Sequence, residues 1–208
     1  MHKYETDQEG FWAGEFGDDY IARNKGSELL ASNLAFFSRI LKYAEKPKSL
    51  IEFGANIGMN LKALQLLYPG IDLCGIEINQ MAAQELARLI GAQNVLNMSI
   101  FDFYPERTYE ISLIKGVLIH INPEKLDIVY QKLYESSDKF ILICEYYNPS
   151  PVSIPYRGHS ERLFKRDFAG EMMAKFKKLS LLDYGFSYRK DPAFPQDDIN
   201  WFLLKKQH

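Results

Sequence analysis

The 208-residue sequence lacks the features that mark several large classes of protein. No run of about 18 apolar residues occurs, and the first 16 residues have no apolar core behind a basic start, as a secretory signal would. Lys and Arg number 25 against 27 Asp and Glu, so no basic field attracts nucleic acid or an anionic membrane surface. We therefore expect a cytoplasmic protein with neither kind of partner.

Cysteine and histidine are scarce. The two cysteines, Cys74 and Cys144, both lie within apolar runs, which predicts buried, reduced thiols and no disulfide. The four histidines show no ligand spacing, alone or with the cysteines, so we expect no metal site. The sequence is 47% hydrophobic and 14% aromatic, which is enough to build the core of a single domain of this length.

From about residue 48 onward, the sequence alternates short apolar runs with amphipathic stretches. The stretches NLKALQLLY (60–68) and QMAAQELARLI (80–90) carry helix formers with apolar residues three and four apart. Connections of that length join parallel strands through crossover helices. The predicted strands are 49–53, 72–78, 94–98, 109–117, 140–146, 178–189 and 200–206.

The last two runs are joined by a segment of a different kind. KDPAFPQDDI (190–199) contains two prolines and several acids but no helical period, which predicts a hairpin with the seventh strand antiparallel to its neighbour. Before the sheet, residues 11–44 have the pattern of two helices, and Lys46 with Pro47 ends the second.

These patterns predict an α/β, Rossmann-like fold. We expect a seven-stranded, mostly parallel sheet with a C-terminal antiparallel hairpin strand and helices on both faces. One domain is expected overall, with a helical cap segment over residues 1–46 and the α/β domain over 47–208. The connection 147–164 has three prolines and no period of its own, which predicts a lid or substrate loop. A surface excursion pinned by prolines is the alternative.

The stretch SLIEFGANIGMNL (49–61) places a glycine turn after the first predicted strand. In an open parallel sheet, ligands bind beyond the carboxyl ends of the strands, and this turn forms one wall of the site. Asn56 stands where a G-x-G-x-x-G motif needs its second glycine, and no Lys-Ser or Lys-Thr pair follows Gly58. The turn therefore matches neither of the two common phosphate-binding motifs.

Two carboxylates complete the predicted pocket. Glu77 follows Gly54 by 23 positions, close to the spacing at which an acid binds ribose hydroxyls in nucleotide-binding folds. Glu52 lies two residues before Gly54, where it can face an ammonium group. A nucleoside with an amino-acid tail and no phosphate is S-adenosylmethionine, which we expect as the cofactor. The alternatives are a tight packing corner at the glycine turn and a solvated strand end at Glu77.

The strand order with its terminal hairpin, together with IEFGANIG and GIEIN, resembles the class I S-adenosylmethionine-dependent methyltransferases. Four longer strings resemble a small bacterial subfamily named the pseudaminic acid biosynthesis-associated methylases. The resemblance covers nearly the whole chain, and the subfamily name implies a transferase acting on a sialic-acid-like sugar. The strings are FWAGEFGDDYIARN (11–24), GVLIHINPEKLDIVYQKLY (116–134), YYNPSPVSIPYRGHSERLFKRDFAGE (146–171) and DYGFSYRKDPAFPQDDINWF (183–202).

The resemblance also implies a set of cofactor-binding residues. Ser99 stands where many relatives have an acid that reads the adenine amino group, and a serine cannot accept that bond as a charge. Arg23 would meet the methionine carboxylate, or else be an exposed helix charge. The implied contacts are Glu52, Gly54, Asn56 and Gly58 for the methionine tail, Glu77, Ile78, Ser99 and Ile100 for ribose and adenine, Lys115, Gly116 and Val117 for the sulfonium side, and Tyr20, Arg23 and Asn24 for closure over the cofactor.

Methyl transfer from a sulfonium is an in-line displacement that needs alignment and a dry pocket, and a base only where the nucleophile arrives protonated. His120, just past the fourth predicted strand, is the candidate base. Its alternative is a capping histidine whose imidazole bonds the backbone of HINPEKL. Glu145 at the end of the fifth strand is the second catalytic candidate, and it either orients a hydroxyl acceptor or packs.

We expect the substrate under the 147–164 segment, where arginines suit the carboxylate or phosphate of an acidic sugar or sugar nucleotide. PQDD (195–198) with Trp201 forms the other wall, or only a tight turn. Two further functions stay open: a non-catalytic scaffold in a glycan-synthesis complex, and a methyltransferase for an unrelated small acid, lipid-linked or protein acceptor. The predicted substrate residues are Tyr147, Tyr156, Arg157, His159, Arg162 and Trp201.

Overall fold

The computed structural model describes residues 4–21, 26–156 and 158–207. The strands within these residues are β1 (Ser49–Phe53), β2 (Asp72–Ile76), β3 (Val95–Leu96), β4 (Tyr109–Lys115), β5 (Ser137–Glu145), β6 (Val152–Tyr156), β7 (His159–Lys165), β8 (Leu179–Ser187) and β9 (Ile199–Lys206). The helices are α1 (Asp7–Ala13), α2 (Glu15–Ile21), α3 (Ser27–Ile40), α4 (Met59–Leu67), α5 (Gln80–Ile90), α6 (Leu126–Ser136) and α7 (Phe168–Lys175).

Seven of these strands form one sheet in the order β3-β2-β1-β4-β5-β9-β8. The first five strands of the chain are parallel, and β9 runs antiparallel to both β5 and β8. In both β1 and β2, four of the five residues are buried, as expected for parallel strands that are covered on both faces. The predicted seven-stranded sheet with its antiparallel C-terminal strand is confirmed.

Helices cover both faces of the sheet and bury one apolar cluster on each. On one face, residues of α6 and α7 such as Leu133 and Met172 pack against the sheet. On the other face, α3, α4 and α5 pack through side chains such as Phe37 and Leu86. Successive residues of β5, such as Ile143 and Cys144, belong to opposite clusters, because the side-chain period of a strand is two.

The two cysteines are free and buried, as predicted. Cys74 belongs to the cluster with α6 and α7, and Cys144 belongs to the opposite cluster. The sheet therefore separates the two thiols. Across residues 4–21, 26–156 and 158–207, no helix combines the length and the apolar character needed to cross a membrane.

The structure differs from the predicted elements in two places. The described N-terminal part contains three α-helices where the sequence pattern indicated two, and the first begins at Asp7. The segment 147–164, predicted to have no secondary structure of its own, forms most of an antiparallel hairpin of β6 and β7 outside the main sheet. Its prolines hid the strand pattern, because an isolated two-stranded hairpin tolerates proline where a central strand does not.

Candidate functional site

A cavity of about 640 Å³ opens where the strand order reverses between β1 and β4. Residues that follow β1, β2 and β4 line it, including Gly54, Glu77 and Gly116. The carboxyl ends of parallel strands at such a switch point are where open α/β sheets bind ligands. The volume is in the range of small-molecule and cofactor pockets.

The turn between β1 and α4 owes its shape to backbone that is left-handed at three positions. Gly54, Asn56 and Gly58 have φ angles of 75°, 49° and 84°. A Cβ at Gly54 would lie 2.6 Å from Cγ2 of Val117, and a Cβ at Gly58 would lie 2.6 Å from Cδ1 of Leu86. Gly54 thus lets the cavity wall close against the β4 end, whereas Gly58 lies outside the cavity and permits close packing on α5.

Glu77 follows β2 and is bound to the same turn. Its Oε2 accepts a hydrogen bond from the Asn56 backbone N–H at 2.7 Å, and its Oε1 accepts one from the Asn79 N–H at 2.8 Å. Burial raises the pKa of Glu77, and these backbone donors oppose that rise. The carboxylate lines the cavity, so the turn and the acid form one wall.

Glu52 lies behind this wall and does not line the cavity. Its side chain is completely buried, Oε1 accepts from Nδ2 of Asn60 at 2.6 Å, and Oε2 has no hydrogen-bond partner among the described residues. Burial raises the pKa of Glu52 to about 8, against the opposing effects of Asn60 and the charge of Lys115. Asn60 does line the cavity, so Glu52 reaches the site through it.

Helices α1 and α2 form the wall opposite the strand ends. Nδ2 of Asn79 donates to Oδ1 of Asp18 at 2.8 Å, which joins α2 to the loop after β2. A Cβ at Gly17 would overlap the carbonyl oxygen of Trp12 and would lie 2.9 Å from Nδ2 of Asn79. Trp12 and Tyr20 line the cavity between these contacts, so this close packing is what covers the site.

Glu145 ends β5 and holds the backbone that follows β4. Its Oε1 accepts from the N–H groups of Val117 and Leu118 at 2.9 and 2.8 Å, and no residue that the structure describes bonds its Oε2. Burial raises its pKa to about 7, against the opposing effect of the backbone donors. Glu145 is absent from the cavity lining, so its carboxylate holds this backbone and does not face the cavity.

His120 lies in the 3₁₀ turn Leu118–His120 that Glu145 supports, and it lines the cavity. Its Nδ1 is 2.6 Å from the backbone carbonyl oxygen of Arg162 in β7. The ring lies between Trp12 and Tyr156, with centroid separations of 4.7 and 5.0 Å. Burial lowers the pKa of His120 to about 4, so the imidazole is neutral at physiological pH.

His120 does bond backbone, as the capping alternative required, but the partner is in the hairpin and not in HINPEKL. The following turn is capped by Asn122, whose Oδ1 accepts from the Glu124 N–H at 3.0 Å. The imidazole therefore ties the hairpin to the cavity wall. Only the tertiary fold brings Arg162 within reach, since 42 positions separate the two residues.

The far end of the cavity lies between α3 and the β8–β9 connection. Nε2 of Gln196 donates to Oδ1 of Asn33 at 2.8 Å, and both residues are buried. Lys115, whose Nζ lies 5.8 Å from the centroid of the Phe36 ring in α3, and Arg189 bring positive charge to this end, and Asp197 brings negative charge. Among the described residues, no carboxylate oxygen lies within 4.0 Å of the Lys115 ammonium, whereas Arg189 pairs with Asp198 at 3.3 Å.

Most of the predicted cofactor residues line the cavity, but few of the predicted substrate residues do. Tyr147 is instead stacked at a tilt on Phe202, Arg162 lies over Phe11, and Trp201 is buried in the core. Arg23, Asn24 and Arg157, and the side chain of His159, lie outside the described part of the chain. The predicted residues that line the cavity are Tyr20, Gly54, Asn56, Glu77, Ile78, Ser99, Ile100, Lys115, Gly116, Val117, His120 and Tyr156.

Several lining residues were absent from the predicted set, among them Glu9, Asn33, Asn60 and Arg189. One signal for Glu9 was present in the sequence. Thr6 and Glu9 have the T-x-x-E spacing of a capping box, and the structure contains both of its hydrogen bonds. That spacing marks the start of α1, and it could have drawn attention to Glu9 as a residue near the site.

Solved structures of methyltransferases share this fold. The magnesium protoporphyrin IX methyltransferase of Synechocystis, with bound SAM, superposes with a TM-score of 0.71 and 11% identity over 100% of both chains. The 1,6-didemethyltoxoflavin-N1-methyltransferase of Burkholderia thailandensis has a TM-score of 0.71 and 12% identity over 96% of this chain and 87% of its own. The sugar N-methyltransferase KedS8 of Streptoalloteichus has a TM-score of 0.66 and 13% identity over 94% of both chains.

No protein-family model and no curated protein sequence matches the chain. Identities of 11 to 13% show a common fold and nothing finer. The likeness extends over at least 94% of this chain and at least 87% of each of the three structures. The chain therefore has the Rossmann-like fold of the S-adenosylmethionine-dependent methyltransferases.

Proposed function

We propose that this protein is an S-adenosylmethionine-dependent methyltransferase whose acceptor is a small acidic molecule. The observation that carries the proposal is the Glu77 carboxylate, which lines a cavity of about 640 Å³ beside the Gly54 turn. An acid after the second strand, next to a glycine turn that lacks a phosphate-binding motif, suits a nucleoside without phosphate. The methyltransferase fold supports the same cofactor.

The residues at this end of the cavity fit the parts of S-adenosylmethionine. A carboxylate has about four acceptor lone pairs, and Glu77 uses them on the backbone N–H groups of Asn56, Asn79 and Ile78, which leaves one for a ribose hydroxyl. Near the glycine turn, Asn60 lines the cavity with Glu52 behind it. Nδ2 of Asn60 donates to Glu52, so Oδ1 of Asn60 is left as an acceptor that suits the ammonium group of the methionine tail.

The cofactor supplies the electrophilic methyl group, and the chain's own residues bind, orient and exclude water. Trp12, Tyr20 and Tyr156 cover the cavity with aromatic rings, which keeps the reacting groups in a dry environment. Because the Arg162 carbonyl can only accept, Nδ1 of His120 carries the proton and Nε2 is left as an acceptor. A group with a pKa of about 4 is a weak base, so we assign His120 to orienting a nucleophilic hydroxyl or amine.

We place the acceptor at the far end of the cavity, between α3 and the β8–β9 connection. Lys115 at the end of β4 supplies a cation with no ion-pair partner among the described residues, and a charged group in such a site gains from an anionic ligand. This placement differs from the predicted substrate site under the 147–164 segment; among the described residues of that segment, Tyr156 lines the cavity. Residues 1–46 then serve as a cap over both ligands.

The finer identity of the acceptor rests on the sequence resemblance. We propose an acidic sugar or sugar nucleotide of nonulosonic (pseudaminic) acid biosynthesis, methylated in the bacterial cytoplasm. The charge of Lys115, which has no ion-pair partner among the described residues, supports an acidic substrate. KedS8, which shares the fold, is a sugar N-methyltransferase by name, and its likeness supports a sugar only as a chemical class that this fold accommodates.

Calorimetric titration with S-adenosylmethionine and S-adenosylhomocysteine tests the proposal. We expect micromolar binding that falls at least about tenfold in Glu77→Gln, since a hydrogen bond to a charged group contributes roughly 1.5–3 kcal/mol. Glu85→Gln, on the exposed face of α5 and paired with Arg88, is the control. No binding of either compound by the wild-type protein at millimolar concentration would overturn the proposal. Once binding is established, the identity of the acceptor is tested by comparing the transfer of a labelled methyl group to acidic sugars with its transfer to their neutral analogues.

A further inference from the structure

The nucleoside end of the cavity contains a second buried carboxylate besides Glu77. Glu9 of α1 lines this end together with Thr6, Ser99 and Ile100. Glu9 is 8% exposed, and a carboxylate is stable at such a site only where polar partners surround it. Only the docking of α1 brings Glu9 there, because 90 positions separate it from Ser99.

The hydrogen bonds of Glu9 leave one acceptor position open. Oε2 accepts from the backbone N–H and the hydroxyl of Thr6, at 2.9 and 3.2 Å. Oε1 accepts from the hydroxyl of Ser99, and that hydroxyl oxygen accepts from the Phe101 N–H at 3.0 Å. Counting about four lone pairs on a carboxylate and two on a hydroxyl, Oε1 of Glu9 and Oγ of Ser99 each keep one lone pair that no hydrogen bond within the described part of the chain occupies. The Ser99 proton is already used.

We infer that Glu9 and Ser99 together select adenine, by accepting a hydrogen bond from its exocyclic amino group. The inference rests on the proposed function, which places the nucleoside at this end of the cavity. Two adjacent acceptors without a free proton attract an N–H donor and repel a carbonyl oxygen, such as the one hypoxanthine carries in place of the amino group. Glu9 of the N-terminal helix α1 thus provides the carboxylate that binds the adenine amino group, which Ser99 alone cannot provide.

This assignment explains why α1 is held so firmly at the cavity edge. The capping box joins Glu9 to Thr6, and the Ser99 contact joins α1 to the segment after β3. The nucleobase wall is therefore complete only when α1 is docked. If Glu9 served only to dock α1, it would not distinguish one base from another. An experiment can therefore separate the two roles by measuring the relative affinity for two bases.

The experiment compares S-adenosylhomocysteine with its inosine analogue by calorimetry on the full chain. We expect wild-type protein to bind the adenosine compound at least about tenfold more tightly, because the analogue leaves a buried charged acceptor facing a carbonyl oxygen. In Glu9→Gln, the amide can donate to that carbonyl, so the ratio of the two affinities should fall by a similar factor. Asp7→Asn, which removes the same charge from an exposed side chain of α1, should keep the wild-type ratio.

The outcomes separate this inference from the function on which it rests. Equal loss of affinity for both compounds in Glu9→Gln would mean an architectural role and would overturn the inference, as would a wild-type ratio near one. If Glu9→Gln does not fold by circular dichroism, Ser99→Ala removes the second acceptor and should lower the same ratio. Failure of the wild-type protein to bind either compound would instead refute the proposed function, and the inference with it.

Discussion

The Nδ1 atom of His120 lies 2.6 Å from the carbonyl oxygen of Arg162, so the hairpin of β6 and β7 determines which nitrogen of the imidazole faces the cavity as an acceptor. A carbonyl oxygen cannot donate, and the proton must therefore reside on Nδ1. Burial lowers the pKa of His120 to about 4. The same contact thus couples the orientation of a polar group in the site to the docking of a hairpin.

We predict that His120 does not titrate in the pH range of the reaction. Because its pKa is about 4, the imidazole is neutral at and above pH 5, and the pH profile of kcat/KM should have no limb near pH 6.5 that belongs to it. His120→Ala should lower kcat at least about tenfold, by loss of an orienting hydrogen bond, and leave the Kd of S-adenosylhomocysteine unchanged. Steady-state kinetics between pH 5.5 and 9, with calorimetry, measure both quantities.

Arg162→Lys is the matched control for this prediction, since it keeps the backbone carbonyl that His120 binds. Its pH profile should match that of the wild-type protein. A limb near pH 6.5 that disappears in the His120 variant would contradict the assignment and restore His120 as a general base.

Glu52 should make the protein less stable as the pH rises. Its pKa is about 8 in the folded protein against 4.5 for the ordinary group, so the folded state keeps a proton that the unfolded chain releases. The free energy of unfolding therefore falls between about pH 4.5 and pH 8, by roughly 1.4 kcal/mol per unit of pKa difference. Glu52→Gln should be more stable than the wild-type protein at pH 8, by a few kcal/mol, and similar to it at pH 4.5.

Urea unfolding at pH 4.5, 6 and 8 measures this difference, with Glu85→Gln as a control for charge removal at an exposed site. In Glu52→Gln, the free energy of unfolding should still fall as the pH rises, but by less, because Glu145 has a pKa of about 7. A stability difference between Glu52→Gln and wild type that is the same at all three pH values would show that Glu52 does not titrate in this range.

Lys115 should govern the affinity for the acceptor and not the affinity for the cofactor. Lys115→Met removes the cation that lacks an ion-pair partner among the described residues, so KM for an acidic acceptor should rise at least about tenfold. Lys115→Arg keeps the charge, so its KM for the acidic acceptor should rise much less than that of Lys115→Met. Kinetics with an acidic acceptor and its methyl ester provide the comparison, and equal effects on the two acceptors would exclude a charge-based role.

Gly17→Ala should open the cavity at α2 without unfolding the protein. The added Cβ would overlap the Trp12 carbonyl oxygen and approach Nδ2 of Asn79, so α2 must shift from the loop after β2. We expect S-adenosylhomocysteine to bind about tenfold more weakly, with a melting temperature within a few degrees of wild type, because α2 buries little of the main core.

Gly10→Ala on α1 is the matched control, since its nearest atom, Cδ2 of Tyr4, would be 3.8 Å away at an ordinary contact distance. It should bind the cofactor like the wild-type protein. Equal affinity for the two alanine variants would mean that the packing of α2 on α1 does not shape the cavity.

Local sequence pattern determined the sheet and the position of the cofactor end of the site. The apolar runs and the periods between them are local properties, and burial on both faces makes such runs parallel strands. The turn at Gly54 and the acid at Glu77 were also visible, because a left-handed turn and a strand end each depend on a few neighbouring residues. Of the twelve predicted residues that line the cavity, nine lie at the carboxyl ends of β1 to β4 or within four residues after them.

Tertiary structure alone decided which side chains share the rest of the cavity. Glu9 meets Ser99 across 90 positions, His120 meets Arg162 across 42, and Gln196 meets Asn33 across 163. No period or spacing encodes such pairs, because they depend on how α1, the β6–β7 hairpin and the β8–β9 connection dock on the sheet. Burial likewise arose only in the fold, and it is burial that makes the imidazole of His120 a neutral acceptor and raises the pKa of Glu52 behind the wall.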